Sequence, residues 1–279
     1  MKKTFIVLSM VLLCAMLFIS CNGDAGSSSP KPTYMVTFRL GESSSSGSEF
    51  DAQEIVEGEK AKKPDTNPTA TDTHKTFDFW SADGTTEFKF DETPITKDIV
   101  LQAIYRDYEA GDIVTYGTYP DNYAIESLKT KAITWKILSV DTTNSRMLVI
   151  SENVLDPSRS ELDFESYSGS DIQRYLNGDF ITTYGLGNVS IVNVNATAED
   201  ITFGSGTDKV FLLSKTEAEN TSYFANAAAR VATYNGTARQ WNLRSICSGN
   251  FKSPYAVMPD GTIQGFSYAA LRPAMWVNL

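Results

Sequence analysis

A chain with one histidine, His74, and one cysteine beyond its first 21 residues, Cys247, has few routes to nucleophilic or metal chemistry. A serine–histidine–aspartate arrangement needs an imidazole beside the hydroxyl, and His74 lies far in sequence from the later motifs. A zinc site needs several cysteine or histidine ligands. No G-x-x-x-x-G-K-[ST] phosphate loop occurs. Carboxylates are plentiful: Glu161, Asp163 and Glu165 alternate, with Asp156, Asp171 and Asp179 close by. Oxygen ligands of this kind suit calcium, but the spacing is not that of an EF-hand, and a glycosidase needs two carboxylates at a fixed separation across the sugar. The expectation is a solvated acidic loop, with no metal, no cofactor and no catalytic residue. Trp241, Arg244, Arg272 and Trp276 suit binding better than turnover, because aromatic and guanidinium faces attract sugars and peptides. The competing reading packs the tryptophans into the core and spends the arginines on buried carbonyls or carboxylates.

One more cysteine carries chemistry of a different kind. Lys2 and Lys3 precede an apolar run from Phe5 to Ile19, and Ser20-Cys21 follows, which is the three-part layout of a secretory signal. The run is about 15 residues, short of the roughly 20 that a spanning helix needs. The segment resembles a bacterial lipoprotein signal, with Phe18 where that family usually places leucine. The resemblance implies removal of residues 1–20 and a diacylglyceryl group on Cys21, so that the membrane is a partner through lipid.

The bulk numbers agree with export of a folded protein. Hydrophobic residues make up 42% of the chain, enough to build cores, and the net charge is −10. That acidity excludes a nucleic-acid footprint, which calls for clustered Lys and Arg. With Cys14 in the signal and Cys21 acylated, Cys247 has no partner for a disulfide. Residues 22–33 are rich in Gly, Ser and Pro and read, behind Cys21, as a flexible linker over 21–33.

Residues 34–106 form the first folded stretch. Tyr34, Val36, Phe38 and Leu40 alternate with polar partners at a strand period. The series Tyr-x-Val-x-Phe, Phe77-x-x-Trp80, Phe88-x-Phe90 and Pro94-Ile-Thr-x-Asp-Ile-x-Leu-x-Ala-x-Tyr105 resembles the Listeria–Bacteroides repeat, or internalin B-repeat. The resemblance implies a small β-grasp-like unit of a bacterial surface protein, with Trp80 as its packing anchor.

Residues 110–279 read as a larger α+β domain. Ile133–Val140 and Arg146–Ile150 make a hairpin around a polar turn. Ser170–Gln173 and Ser214–Glu217 have capping-box spacing, the second opening a helix that carries Ala218, Tyr223 and Phe224 after a strand over 209–213. Pro259-Asp260-Gly261 is a tight turn, and the apolar segment 271–279 ends the chain as a strand. The motifs Leu-Val-Ile-Ser-Glu-Asn-Val-Leu155, Ser170-x-Ile-x-Arg174-x-Leu-Asn177, Lys209-Val-Phe-Leu-Leu-Ser214-x-x-Glu217, Trp241-x-Leu-Arg244-Ser and Arg272-Pro-Ala-x-Trp276 resemble a bacterial family catalogued as domain of unknown function 6273. At fold level the layout is similar to C-type-lectin-like and sulfatase-modifying folds. The calcium–sugar motifs of lectins are absent, since Leu243 stands where an aspartate would ligate, and lone Cys247 lacks the cysteine pair of the sulfatase modifiers.

The expected protein is therefore a lipoprotein of the bacterial cell envelope, exposed outside the cytoplasm. It binds or adheres through its C-terminal domain, without catalysis, to an extracellular glycan or protein. A glycan- or peptide-directed hydrolase using Glu161, Asp163 or Glu217 is the alternative, and a structural envelope spacer is the second. Cells fed labelled palmitate should label the wild-type chain and not Cys21→Ala, and the variant should leave the membrane fraction; equal label in both removes the anchor.

Overall fold

A computed structural model describes residues 30–41, 47–70, 72, 74–155, 166–204, 206–248, 253–266 and 269–279. Cys21, the signal over 1–20 and most of the linker lie outside the described residues, as do Glu161, Asp163 and Glu165.

Two hydrophobic cores form, and they share no buried residue. The first belongs to β1 (Thr33–Arg39), β2 (Glu49–Val56), β3 (Lys75–Ser81) and β4 (Ile99–Asp107). These strands make one sheet in the order β2-β1-β4-β3. The central β1–β4 pair is parallel and the outer pairs are antiparallel. Alternation puts Val36 and Phe38 on the inner face, both fully buried, under Trp80. Phe38 meets the Trp80 ring edge-on at 4.9 Å, and Phe50 and Phe77 close in at 5.6 and 5.4 Å. Such aromatic pairs add to area burial. Among the described residues the Trp80 indole nitrogen has no hydrogen-bond partner, so the ring serves as apolar volume.

The second core is supported by β5 (Ile113–Thr118), β6 (Ala132–Asp141), β7 (Arg146–Ser151), α1 (Asp171–Leu176), α2 (Asp179–Thr183), β8 (Val194–Ala196), β9 (Ile201–Phe203), β10 (Val210–Phe211), α3 (Lys215–Glu219), α4 (Ala227–Arg230), β11 (Ala232–Tyr234), β12 (Thr237–Arg239), β13 (Trp241–Ile246), β14 (Pro254–Val257), β15 (Ile263–Gly265) and β16 (Ala274–Asn278). The main sheet is five-stranded and antiparallel, in the order β10-β16-β7-β6-β5. The last strand thus lies between β7 and the short edge strand β10, paired on both sides. Three further sheets, β13-β14-β15, β11-β12 and β8-β9, carry the loops around it. The architecture is mixed α+β, built of several small sheets with short helices.

Between the two cores, Arg106 on β4 grips Asp112 through two hydrogen bonds of 2.7 and 2.6 Å, and Asp112 also accepts the Glu109 N–H. A bidentate guanidinium–carboxylate pair fixes direction as well as distance. Arg106 accordingly holds the Asp112 carboxyl below the usual range.

Several local expectations need correction. The helix opened by Ser214 stops at Glu219, because the Asn220 side chain accepts the Ser222 N–H and turns the chain; Tyr223 and Phe224 lie beyond it. The strand expected over 209–213 shrinks to Val210–Phe211. Ser170 caps α1 by accepting the Gln173 N–H, but Gln173 does not reach back to the Ser170 N–H. Its carbonyl oxygen accepts from Gly169 and its amide donates to Asp208 instead. The second box is complete: Ser214 and Glu217 exchange both bonds. Gly261, at φ +80°, belongs to the expected tight turn, and a side chain there would sit 1.9 Å from the Ala227 carbonyl oxygen.

Truncating Trp80 to alanine should cost about 3–5 kcal/mol, enough to open the smaller core. Hydrogen exchange should show protection lost over 34–106 and kept in the main sheet; equal loss in both would mean that the cores melt together.

Candidate functional site

The sequence-derived binding candidates turn inward. Trp241 and Arg244 have no exposed surface and Arg272 is 3% exposed. Arg244 rises from β13 into a cage of backbone oxygens. Its Nε donates to Thr197 at 2.8 Å, Nη1 to Leu212 at 2.7 Å and Nη2 to Glu199 at 3.4 Å. Nη1 also meets the Glu217 carboxylate at 2.5 Å, and the same Oε2 accepts the Ser214 N–H. One guanidinium therefore joins the β8–β9 turn, the end of β10 and the start of α3. Beside it Ser245 accepts the Lys215 N–H and donates to the Ala198 carbonyl.

Arg272 has no ion pair among the described residues. Its Nε donates to the Ser151 carbonyl at 2.9 Å, Nη1 to Arg230 at 3.0 Å and Nη2 to Glu152 at 3.4 Å. The guanidinium carbon sits 5.0 Å from the Trp241 ring centre and 5.9 Å from that of Phe224, within cation–π range. Burial pulls the group down to about 10, so it is still charged at neutral pH. Trp241 points its indole N–H at the same Arg230 carbonyl. Trp276 stands apart and half-buried, with its ring 5.3 Å from Phe203 and Arg146 lying over both.

A second buried polar centre surrounds Asp208. Its carboxylate accepts from the Gln173 amide, the Asn177 amide and the Ala196 N–H. Asn177 in turn accepts the N–H groups of Lys209 and Val210. Tyr167, fully buried nearby, has its phenol pushed well up by burial and then by the Asp208 charge. Glu217, the one described carboxylate of the hydrolase reading, is taken up by Arg244 and its own helix cap. Cys247 is half-buried beside Tyr255, and its hydrogen bond raises the Tyr255 phenol. His74 is exposed and bonds Asp72 at 2.9 Å. Among the described residues no group of three or more His, Cys, Asp or Glu is placed to hold a metal ion.

The C-terminal unit has a cleft of about 530 Å³ lined by Tyr116, Met147, Val189 and Val277 among others, and a smaller one of about 230 Å³ that three separate segments close over Tyr119 and Tyr123, which are 4% and 7% exposed. Tyr119, Tyr123, Ile125, Ser127 and Leu128 come from the β5–β6 connection. Asn153 and Val154 follow β7, and Tyr234, Asn235 and Gly236 form the β11–β12 hairpin turn. Asn235 and Gly236 both take positive φ, 51° and 74°, the turn that an Asn-Gly pair favours between antiparallel strands. The tyrosine rings pack against one another: Tyr119 to Tyr123 at 4.7 Å, and Tyr123 to Tyr234 at 6.3 Å. Tyr123 and Tyr184 both donate to the Leu155 carbonyl, at 2.8 and 3.1 Å, and pin the wall from below. Thr233 donates to the Asn153 amide oxygen at 2.8 Å, which sets that side chain's orientation. Burial, and then the Glu152 charge, raise the Tyr119 phenol, against a side-chain hydrogen bond to Asn153 that lowers it.

Sequence reasoning missed this cleft because its members share no spacing. The Asn235-Gly236 turn was the one local signal available. Thr130 adds a structural sign: a β-branched residue at φ +59°, strained, in the same connection, where its N–H donates to the Tyr119 carbonyl. Strain of this kind concentrates at functional sites.

Replacing Arg244 by leucine should cost about 3–5 kcal/mol, because Glu217 is left without its cation and three carbonyls without their donor. Ser214→Ala, which removes only the cap, should cost about 1 kcal/mol. Urea unfolding monitored at the tryptophans reads both, and a loss below 1 kcal/mol for Arg244→Leu would contradict the cage.

No curated protein matches the chain. The family match begins inside the β6–β7 turn, although β5 and β6 belong to the same sheet, so the structural unit is larger than the matched stretch. Residues 144–279 match the family model described as a domain of unknown function, DUF6273.

Proposed function

We propose that the chain is a bacterial envelope lipoprotein whose C-terminal unit binds an extracellular ligand without catalysing its conversion. Lipid on Cys21 supplies the attachment, which the signal-like segment and its cysteine support. The sheet of 34–106, with its parallel central pair, supports reading that stretch as a β-grasp-like Listeria–Bacteroides repeat, a spacer that lifts the next unit from the membrane. The return of β16 to pair with β7 inside the main sheet, with Arg272 just before it, supports a C-type-lectin-like layout for the C-terminal unit.

The observation that carries the reading is the cleft between the β5–β6 connection and the β11–β12 hairpin, where Ser127, Asn235 and Gly236 reach the surface over the buried rings of Tyr119 and Tyr123. Loops held on a rigid scaffold are where binding residues concentrate, and a concave site with aromatic walls and a few placed polar groups is the usual form of a small-ligand pocket. The cleft is preformed, its rings packed and its wall pinned at Leu155. Catalysis by Glu217 is disfavoured because its carboxylate is committed to Arg244 and the Ser214 N–H.

The full chain, kept in detergent, should be retained saturably on an array of extracellular glycans and matrix proteins. Retention should survive chelator. Turnover of any arrayed glycan or peptide, abolished by a single Asp or Glu change, would overturn the reading in favour of a hydrolase.

A further inference from the structure

The two cores share no buried residue, and units joined through so little apolar contact ordinarily move relative to one another. Here the junction is braced. Residues 108–112 connect β4 to β5, and most of them are bonded. The Gly111 N–H donates to the Ile137 carbonyl and the Ile137 N–H to the Asp112 carbonyl, both at 2.8 Å, which stitches the turn to β6. The Asp112 N–H donates to the Glu109 carbonyl at 3.2 Å, and the Asp112 carboxylate accepts the Glu109 N–H in return. Tyr108 packs against the second core, where burial raises its phenol. The turn is thus built into the C-terminal unit.

From the first unit, Arg106 reaches into that turn. It lies near the end of β4, opposite Thr76 of β3. Its two Nη atoms take both oxygens of Asp112, at 2.7 and 2.6 Å, and its Nε is 3.5 Å from Asp78 on β3. Two-point pairing of a planar guanidinium with a carboxylate resists rotation about the contact, which a single ammonium contact does not. The two side chains are 32% and 18% exposed, so salt screens them less than a fully solvated pair. Residues 75–77 of β3 and 113–116 of β5 line one groove of about 280 Å³. Open space separates the two sheet edges there, which leaves the polar pair to set the angle between them.

The direction of the strands gives this brace a consequence. β1 and β4 run parallel, with Val36 opposite Ile99, so the chain enters the first sheet at one end and leaves it at the other. β4 spans nine residues, about 30 Å at roughly 3.3 Å per residue. We propose that the Arg106–Asp112 pair locks the two units into one rigid arm, in which the sheet of 34–106 holds the C-terminal unit at a fixed reach instead of hanging it from a hinge. The membrane end of the arm rests on the lipoprotein reading above; the lock does not.

Residual dipolar couplings of strand amides, measured on the full chain in detergent, test the lock. A single alignment tensor should fit both sheets. Arg106→Ala should abolish the common fit and give each unit its own tensor. Asp112→Asn, which keeps the shape of the side chain and removes its charge, should do the same. Arg106→Lys keeps the charge without the fork and should fall between. Unchanged amide shifts in β1, β6 and β7 separate a freed junction from an unfolded unit, and where Arg106→Ala unfolds the first sheet, Asp112→Asn decides. Separate tensors in the wild-type chain overturn the proposal, and so does one tensor that survives both Arg106→Ala and Asp112→Asn. One tensor in a chain found to carry no lipid upholds the lock and removes the membrane attachment, so the two fail separately.

Discussion

With no ion pair among the described residues, the buried Arg272 guanidinium takes its hydrogen bonds from the backbone carbonyls of Ser151, Glu152 and Arg230. Leaving such donors unmet inside a protein costs far more than an ordinary hydrogen bond returns. The positions of those three carbonyls are therefore tightly constrained, and with them the end of β7 and the entry to β11. The Trp241 ring lies against the same cation and bonds the same Arg230 carbonyl. Arg244 imposes a matching constraint on the other side of β13, where Thr197, Leu212 and Glu217 converge on it. A unit with short helices and several small sheets has little regular hydrogen bonding to hold its loops, and these two cations with Asp208 supply the deficit.

This explains why the conspicuous residues of the C-terminal motifs lie inside. Trp241, Arg244 and Arg272 have the residue types of a binding platform, yet their polar atoms are committed to the fold. Around the smaller cleft the surface is left to residues of ordinary appearance, Ser127, Asn235 and Gly236, while Tyr119 and Tyr123 are buried too. The separation of tasks also accounts for Glu217, whose carboxylate is needed by a cap and a cation at once.

Elements fixed by neighbours in sequence were legible. The β6–β7 hairpin follows from two apolar runs around a polar turn, the Ser214 cap from its spacing to Glu217, and the 259–261 turn from Pro-Asp-Gly. The buried face of β1 follows from alternation at Val36 and Phe38. What could not be read was set by long-range geometry. Gln173 has the spacing of a capping box, but its side-chain oxygen accepts the Gly169 N–H while its NH2 group donates to Asp208, 35 residues away. The helix after Ser214 has no apolar periodicity strong enough to outlast Asn220. The cleft draws on residues 119–128, 153–154 and 234–236, and no local pattern brings these together.

Arg272 spends its charge on the Ser151, Glu152 and Arg230 carbonyls and thereby fixes the backbone that leads into Val154 and the β11–β12 hairpin. Amide hydrogen exchange on Arg272→Lys tests it most directly, because lysine keeps the charge but cannot reach three carbonyls in one plane. Exchange should be faster at Val154, Leu155 and the β11–β12 hairpin in the variant, with β6 and β16 unchanged. Unaltered exchange at those amides would contradict it.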